Sequence, residues 1–125
     1  MRRDTDTKQK IALVDEAALL KVLADPTRLR LAVALSCNGE TCVCALAEGL
    51  AEPEYKISRH LAVMRSAGLV EARRDGTWMH YRLMQPRNHM EECLWNCFRD
   101  CLSADKSMAA ALKRVKRMSC GERKR

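Results

Sequence analysis

Two cysteines separated by a single residue, Cys42-Val43-Cys44, carry the strongest chemical signal in this chain. Soft cations select thiolates as ligands, and a thiol near the start of a helix has its pKa lowered. The pair therefore reads as a clamp for a soft metal or metalloid. Val43 belongs to the buried stripe of a short helix, so the two sulfurs are expected to flank the core face. Residues i and i+2 of a regular α-helix point about 200° apart. Gripping one small ion there predicts that the first helical turn unwinds and that the unwinding is passed on to the helix that follows.

The other cysteines are weaker signals. Cys37 is a candidate additional ligand, because it ends the preceding helix just upstream. Cys93, Cys97 and Cys101 repeat at i, i+4 and i+8 beside Leu94, Phe98 and Leu102, which reads as core or as a dimer seam. Cys120 sits in a basic tail and is assigned no role. Seven cysteines are an odd count, and Met1-Arg2-Arg3-Asp4-Thr5-Asp6 leads into charge instead of an apolar export signal. Both features point to reduced thiols in a cytoplasmic protein.

A second chemistry lies downstream. If Ile57, Leu61 and Met64 face inward, the outward face of the same helix carries Tyr55, Arg59, Ala62 and Ser66, flanked by Lys56 and Ser58. Small residues at the middle of a basic face let a helix approach a groove. Arg59 can bond a guanine edge or a phosphate, and Tyr55, Lys56 and Ser58 can hold phosphate oxygens. Arg73, Arg74 and Arg82 follow on a predicted hairpin, suitably charged for the flanking phosphates. His60 projects toward the edge of the helix interface and reads as packing.

The elements that position these residues are mostly helical. A first amphipathic helix is predicted over 11–24, with Ile11, Val14, Ala18 and Val22 on one stripe and Leu19 and Leu23 beside it. Asp25-Pro26 starts a second helix, as N-cap and first helical residue, and Asn38-Gly39 stops it. Thr41 is the expected cap of a third, with Val43, Leu46, Ala47 and Leu50 on one face and Gly49 weakening its end. After Ala51-Glu52-Pro53 a fourth runs from Glu54 to Ala67, closed by Gly68. Two helices joined by a short break, the second basic, form a helix-turn-helix pattern. Leu69–Arg74 and Thr77–Leu83, separated by Asp75-Gly76, then read as a hairpin wing. From Pro86 on, Met90, Leu94, Cys97, Cys101, Met108, Leu112 and Val115 form a narrow helical seam, with a break near Ser103-Ala104-Asp105, for which a partner subunit is the economical explanation.

Composition bounds the rest. The 125 residues carry a formal charge of +7, are 47% hydrophobic and include only one Phe, two Trp and two Tyr. That describes one small, mainly α domain with a small β-hairpin, about five helices plus a two-stranded wing, dimerising through terminal helices. Its parts are a flexible arm (1–10), the winged helix-turn-helix domain with its dimerisation helices (11–116) and a basic tail (117–125). No apolar run is long enough to span a membrane. No nucleophile–base pair, phosphate loop or C-x-x-C redox motif argues for an enzyme.

The residues Asp25-Pro26-Thr27-Arg28, Glu40-Thr41-Cys42-Val43-Cys44, Lys56-Ile57-Ser58-Arg59-His60-Leu61, Arg65-Ser66-Ala67-Gly68-Leu69 and Gly76-Thr77-Trp78-Met79-His80-Tyr81-Arg82-Leu83, in this order, closely resemble the ArsR branch of the ArsR/SmtB metalloregulators. The resemblance implies a homodimeric winged-helix repressor that occupies the operator DNA of an arsenic-resistance operon. It implies As(III) or Sb(III) as inducer, bound at Cys42 and Cys44, and no organic cofactor. The chain departs from that branch in one respect: Ala47 stands where many members carry a third cysteine. Cadmium and lead sensors of the family also use cysteines of an N-terminal arm, and this arm has none; Asn88-His89 is only a fragment of the zinc-binding pattern. Alternatives on the same fold are a cadmium/lead-type sensor and a thiol-redox or sulfide sensor pairing Cys37 with the 93–101 stripe. A thiol protein that sequesters soft metal without regulating is a reading from another class.

Overall fold

The computed structural model describes residues 11–123, so the arm 1–10 and the last two residues lie outside the described part. The elements in chain order are α1 (Leu13–Leu23), α2 (Pro26–Asn38), β1 (Thr41–Cys42), α3 (Val43–Leu50), α4 (Glu54–Ser66), β2 (Val70–Asp75), β3 (Trp78–Leu83), α5 (His89–Asp100), a single 3-10 turn (Leu102–Ala104) and α6 (Lys106–Arg123). This is the winged helix-turn-helix expected, with one helix and one short strand more. The strands form an antiparallel sheet in the order β1-β3-β2.

Local chemistry explains most boundaries. Asp25 caps α2 by accepting the Arg28 N–H at 3.0 Å, and Pro26 occupies the first turn, where its missing N–H costs nothing. The Arg28 N–H bond, aided by the nearby charge, holds the Asp25 carboxyl below its ordinary range. Ala51 ends α3 in the left-handed region at φ 58°, which makes the three-residue turn Ala51-Glu52-Pro53 tight enough to set α4 against α3. In the hairpin, Asp75 pairs with Trp78, so the central residues are Gly76 and Thr77, one position later than expected. Gly76, at φ 64°, takes the conformation that Thr77 would resist.

The core gathers Leu31 and Leu35 of α2, Leu46 and Leu50 of α3, Ile57, Leu61 and Met64 of α4, and Phe98 of α5. The predicted inward face of α4 is thus the observed one. In α1 it is not. Ile11, Leu13 and Val14 are exposed, Val14 at 76%, while Glu16, Leu19 and Leu23 turn inward. The reason is polar. The Glu16 carboxylate accepts from Asn88 Nδ2 at 2.7 Å, and Asn88 also caps α5, so rotation of α1 is fixed by a buried hydrogen bond.

The other oxygen of Glu16 has no partner in the static arrangement, and Glu91 of α5 lies beside it. Burial pushes the Glu16 carboxyl above its ordinary range. Burial also acts on Glu91, but the Arg87 guanidinium and backbone N–H outweigh it and hold Glu91 below that range.

The segment after the wing has the break expected near Ser103-Ala104-Asp105. It folds back on its own chain, broken at the 3-10 turn, with Asp105 capping α6 through the Met108 N–H at 3.0 Å. α5 turns Glu91, Trp95 and Phe98 inward, and leaves Cys97 and Cys101 exposed. α6 lays Met108, Ala111 and Val115 over the core and crosses α3. Gly49 is where they touch: a Cβ there would overlap the Val115 side chain and crowd its backbone. Arg114 Nε donates to the Gly49 carbonyl at 3.0 Å, and Asn38 Nδ2 bonds both Thr41 (2.8 Å) and Ser119 (3.2 Å). α6 continues through residue 117, where the sequence reading began a tail, and buries Ser119.

Three outcomes follow in urea unfolding. Gly49→Ala separates α3 from α6 and costs about 1–3 kcal/mol. Ala51→Gly relieves the left-handed alanine and gains about 0.5–1 kcal/mol. The raised Glu16 pKa means stabilisation that is complete below the ordinary value of 4.5 and is lost as pH rises through the shifted one. Glu16→Gln, which still accepts from Asn88 but does not titrate, flattens that loss; an unchanged pH slope would show that Glu16 does not cause it.

Candidate thiol site and nucleic-acid interface

Cys42 is not helical. It is the last residue of β1, extended at φ −78° and ψ 154°, and it is the N-cap of α3, its sulfur accepting the Ala45 N–H at 3.4 Å. Thr41, the expected cap, instead lies in the sheet opposite Tyr81, buried, donating to the Gly39 carbonyl at 2.8 Å. With residue 42 extended and residue 44 in the first helical turn, the 200° separation of a regular helix does not apply. The two sulfurs meet while α3 is intact, with the Cα atoms 5.4 Å apart and the sulfurs near enough to close a disulfide.

Two expectations are corrected here. No unwinding of the first turn is needed for the sulfurs to converge, because the strand-to-helix transition falls between them. Cys42 is in the core at 1% exposure, where Val43 is half-buried, so the sulfurs do not both flank the core face.

Cys44 is half-buried and opens on a cleft between α3 and α6, lined also by Ala47, Glu48, Arg114 and Met118. Ala47 lies one turn beyond Cys44 in that cleft, so a methyl stands where a third thiol would complete the site. Cys37 does not supply it. Among the described residues no three Cys, His, Asp or Glu side chains converge. Cys37 is on the outer face of α2 near Arg99 and Asp100, and desolvation of its sulfur pushes the thiol above its ordinary range, which makes it a poor thiolate. Among the described residues the donor set at this site is two sulfurs, which fits a thiophilic ligand that accepts two.

Position 42 is also where the site meets the wing. Cys42 pairs with His80 and Thr41 with Tyr81, so the strand that holds the first sulfur is laddered to β3. The second sulfur is on α3, the first helix of the helix-turn-helix.

On α4, Tyr55, Ser58, Arg59, Ala62 and Ser66 are exposed, Tyr55 at 68%, as the helical geometry required. Arg59 stacks over the Tyr55 ring at 5.7 Å, which pre-positions the guanidinium. Lys56 is partly turned away, paired to Glu52 at 3.0 Å. His60 packs at the interface edge, Nδ1 3.3 Å from Arg28 Nη1. Arg65, also exposed, was missing from the expected set, although its i, i+7 spacing from Ser58 places it on the same face.

The wing arginines differ from one another. Arg73 forms a two-bond ion pair with Glu40, at 2.8 and 3.0 Å, which holds the Glu40 carboxyl below its ordinary range. Arg82 is paired with Glu71 across the strands. Arg74, next to the hairpin tip, is exposed and has no ion pair among the described residues.

Comparison with known proteins agrees with this geometry. Residues 25–72, from the cap of α2 into β2, match the family model described as "Bacterial regulatory protein, arsR family". The arsenical resistance operon repressor of Escherichia coli K12 is 52% identical over 65 residues, which is 52% of this chain and 56% of that protein, so the chain spans just over half the length of this relative. An HTH-type transcriptional regulator of Methanocaldococcus jannaschii, MJ1325, is 41% identical over 71 residues, 57% of this chain and 80% of that protein. The solved homodimeric winged helix-turn-helix DNA-binding domain Mb0332 of Mycobacterium bovis superposes with a TM-score of 0.57 at 34% identity, over 69% of this chain and 73% of that one. These relatives are named as regulators and DNA-binding domains, not enzymes. With its helix-turn-helix, its wing and a cysteine pair at their junction, the chain belongs to the ArsR family of bacterial regulatory proteins.

Proposed function

We propose that this chain is a cytoplasmic, homodimeric transcriptional repressor of an arsenic-resistance operon, released from its operator DNA when As(III) or Sb(III) binds reduced Cys42 and Cys44. One observation carries the reading: Cys42 is at once a strand residue laddered to the wing and the cap of α3. A ligand that fixes the distance between its sulfur and that of Cys44 acts on the wing and on the first helix of the helix-turn-helix together. Bonded to two thiolates, trivalent arsenic exchanges two hydroxides for two sulfurs, the thiol protons leave as water, and a hydroxide completes its three positions. The chain's own part is to present both sulfurs without melting a helix and to pass their separation on to β3 and α3.

In the DNA complex α4 lies in the major groove, with Arg59 aimed at a base edge by Tyr55, and Ser58 and Arg65 beside it. Arg74 meets the flanking phosphates directly. Arg73, Arg82 and Lys56 reach phosphates by exchanging a carboxylate partner for a phosphate one, so their net gain is smaller. The exposed apolar residues at the start of α1, Leu13 and Val14, with Ile11 just before it, form the surface on which two copies associate.

A second reading is favoured by the nearness of the Cys42 and Cys44 sulfurs: oxidation of this pair is itself the signal. It replaces the expected pairing of Cys37 with the last-helix cysteines, since Cys37 faces Arg99 and Asp100 instead.

Fluorescence anisotropy with the chain's own promoter separates these readings. Under reducing conditions arsenite releases the parent protein, while Cys42→Ser/Cys44→Ser binds DNA normally, Ser being a good cap, and is not released. Release of the double variant by arsenite would sink the proposal; release of the parent by a mild oxidant but not by arsenite would establish the second reading. Arg59→Ala costs about 1–3 kcal/mol, a roughly five- to 150-fold loss of affinity, and relaxes sequence selectivity. Arg74→Ala weakens binding to all sequences alike and lowers the salt slope by about one.

A further inference from the structure

The inner face of α6 braces α3, but its outer face has no part in the release mechanism. From Lys106 to Ser119 this helix carries five Lys or Arg side chains and no Asp or Glu. Met108, Ala111, Val115 and Ser119 are buried and fix the inward direction. At 100° per residue the opposite direction falls on Lys106, Ala110, Lys113 and Arg117, and all four are exposed, with Lys116 exposed beside them. Arg114, at the edge, is held by the Gly49 carbonyl. The ion pairs of the described residues lie elsewhere, on Lys56, Arg73, Arg82, Arg87 and Arg99. Asp105, the acid next to Lys106, is turned to the cap of α6 through the Met108 N–H. The exposed residues of α5 mix Glu92 and Asp100 with Arg99, as an ordinary solvated face does, whereas the row on α6 has one sign. Such a row is complementary to a polyanion.

Its place in the fold selects which polyanion. α6 packs along α3, and Arg114 and Met118 share a cleft with Ala51 and Glu52 of the turn that leads into α4. In a helix-turn-helix the first helix crosses the phosphate backbone while the second enters the groove. The row is therefore placed beside the backbone that α3 crosses, outside the groove that α4 fills. We propose that Lys106, Lys113 and Arg117 form a second DNA contact, a sequence-independent clamp on phosphates of the duplex flanking each half-site. This rests on the operator-binding reading above. Lys106 and Arg117 are about 16 Å apart along the helix axis, so the three cations meet separate phosphates without bending the helix. Ala110, between them, leaves no long side chain to hold the backbone away. Each phosphate neutralised releases condensed counterions, so the contact adds affinity and salt dependence to every sequence equally, unlike that of Arg59.

Fluorescence anisotropy over a salt series, on operator duplexes with and without flanking base pairs, is the test. For the parent the flanks raise affinity. For Lys106→Gln/Lys113→Gln/Arg117→Gln they do not, and the salt slope falls by about three, roughly one per cation removed, on operator and scrambled duplex alike. Lys21→Gln, exposed on α1, leaves the slope unchanged, which separates a local contact from net charge. Gln matches Lys and Arg in helix propensity, and circular dichroism checks that helix content is retained. A triple variant with the parent's slope and flank dependence overturns the assignment, while its selective binding still upholds the repressor reading. A parent that prefers its operator to no degree sinks that reading, but a slope that still falls by about three upholds the phosphate contact. A triple variant that keeps the parent's slope on DNA and loses binding to phosphatidylglycerol vesicles assigns the row to an anionic lipid surface and equally overturns the proposal.

Discussion

The backbone changes from strand to helix between residues 42 and 43, and the rest of the site depends on that change. Cys42 must be extended to ladder with His80, and α3 must begin at Val43 for Leu46 and Leu50 to enter the core. Both demands together turn two side chains that a continuous helix would send apart toward one another. The sulfur pair is thus a by-product of joining a sheet to a helix, and it is held by the same contacts that hold the fold.

α6 gives the junction its rigidity. It lies across α3 at Gly49, bonds the Gly49 carbonyl through Arg114 and ties Asn38 and Thr41 to Ser119. β1, the end of α2 and α3 are thereby braced from one side, while β3 braces them from the other. In the proposed mechanism, a change in separation of the two sulfurs meets a stiff frame on the α6 side and is directed toward the wing and α4. The turn at Ala51, three residues long, leaves little slack for it to be absorbed.

The helix-turn-helix was legible in the sequence because its signals are local. Asp25-Pro26 and Asn38-Gly39 bracket α2, and Ile57, Leu61 and Met64 orient α4 without reference to the remainder of the molecule. What was not legible depends on contacts between distant residues. β1 has two residues and no periodicity, so nothing short of its pairing with β3 distinguishes Thr41-Cys42 from a helical start. α1 is apolar on several sides, and only the bond from Asn88, 72 residues away, selects Glu16 over Val14 for the interior. The stripe of Met108, Leu112 and Val115 announces a helical partner without naming it, and a helix of the same chain turned out to satisfy it. For the cysteines of α5, composition favoured burial, but Trp95 and Phe98, larger and stacked at 5.7 Å, took the inner face.

The contact of Gly49 with Val115 has a consequence for how such a molecule diversifies. The volume at this crossing is shared by two positions 66 residues apart in sequence, one inside the stretch common to the family and the other beyond it. Neither drifts alone: a larger side chain on α3 is accommodated only with a smaller one on α6, or with α6 displaced. Lineages that keep this terminal helix are therefore expected to show the two positions varying together, and lineages that lose it to free position 49 altogether.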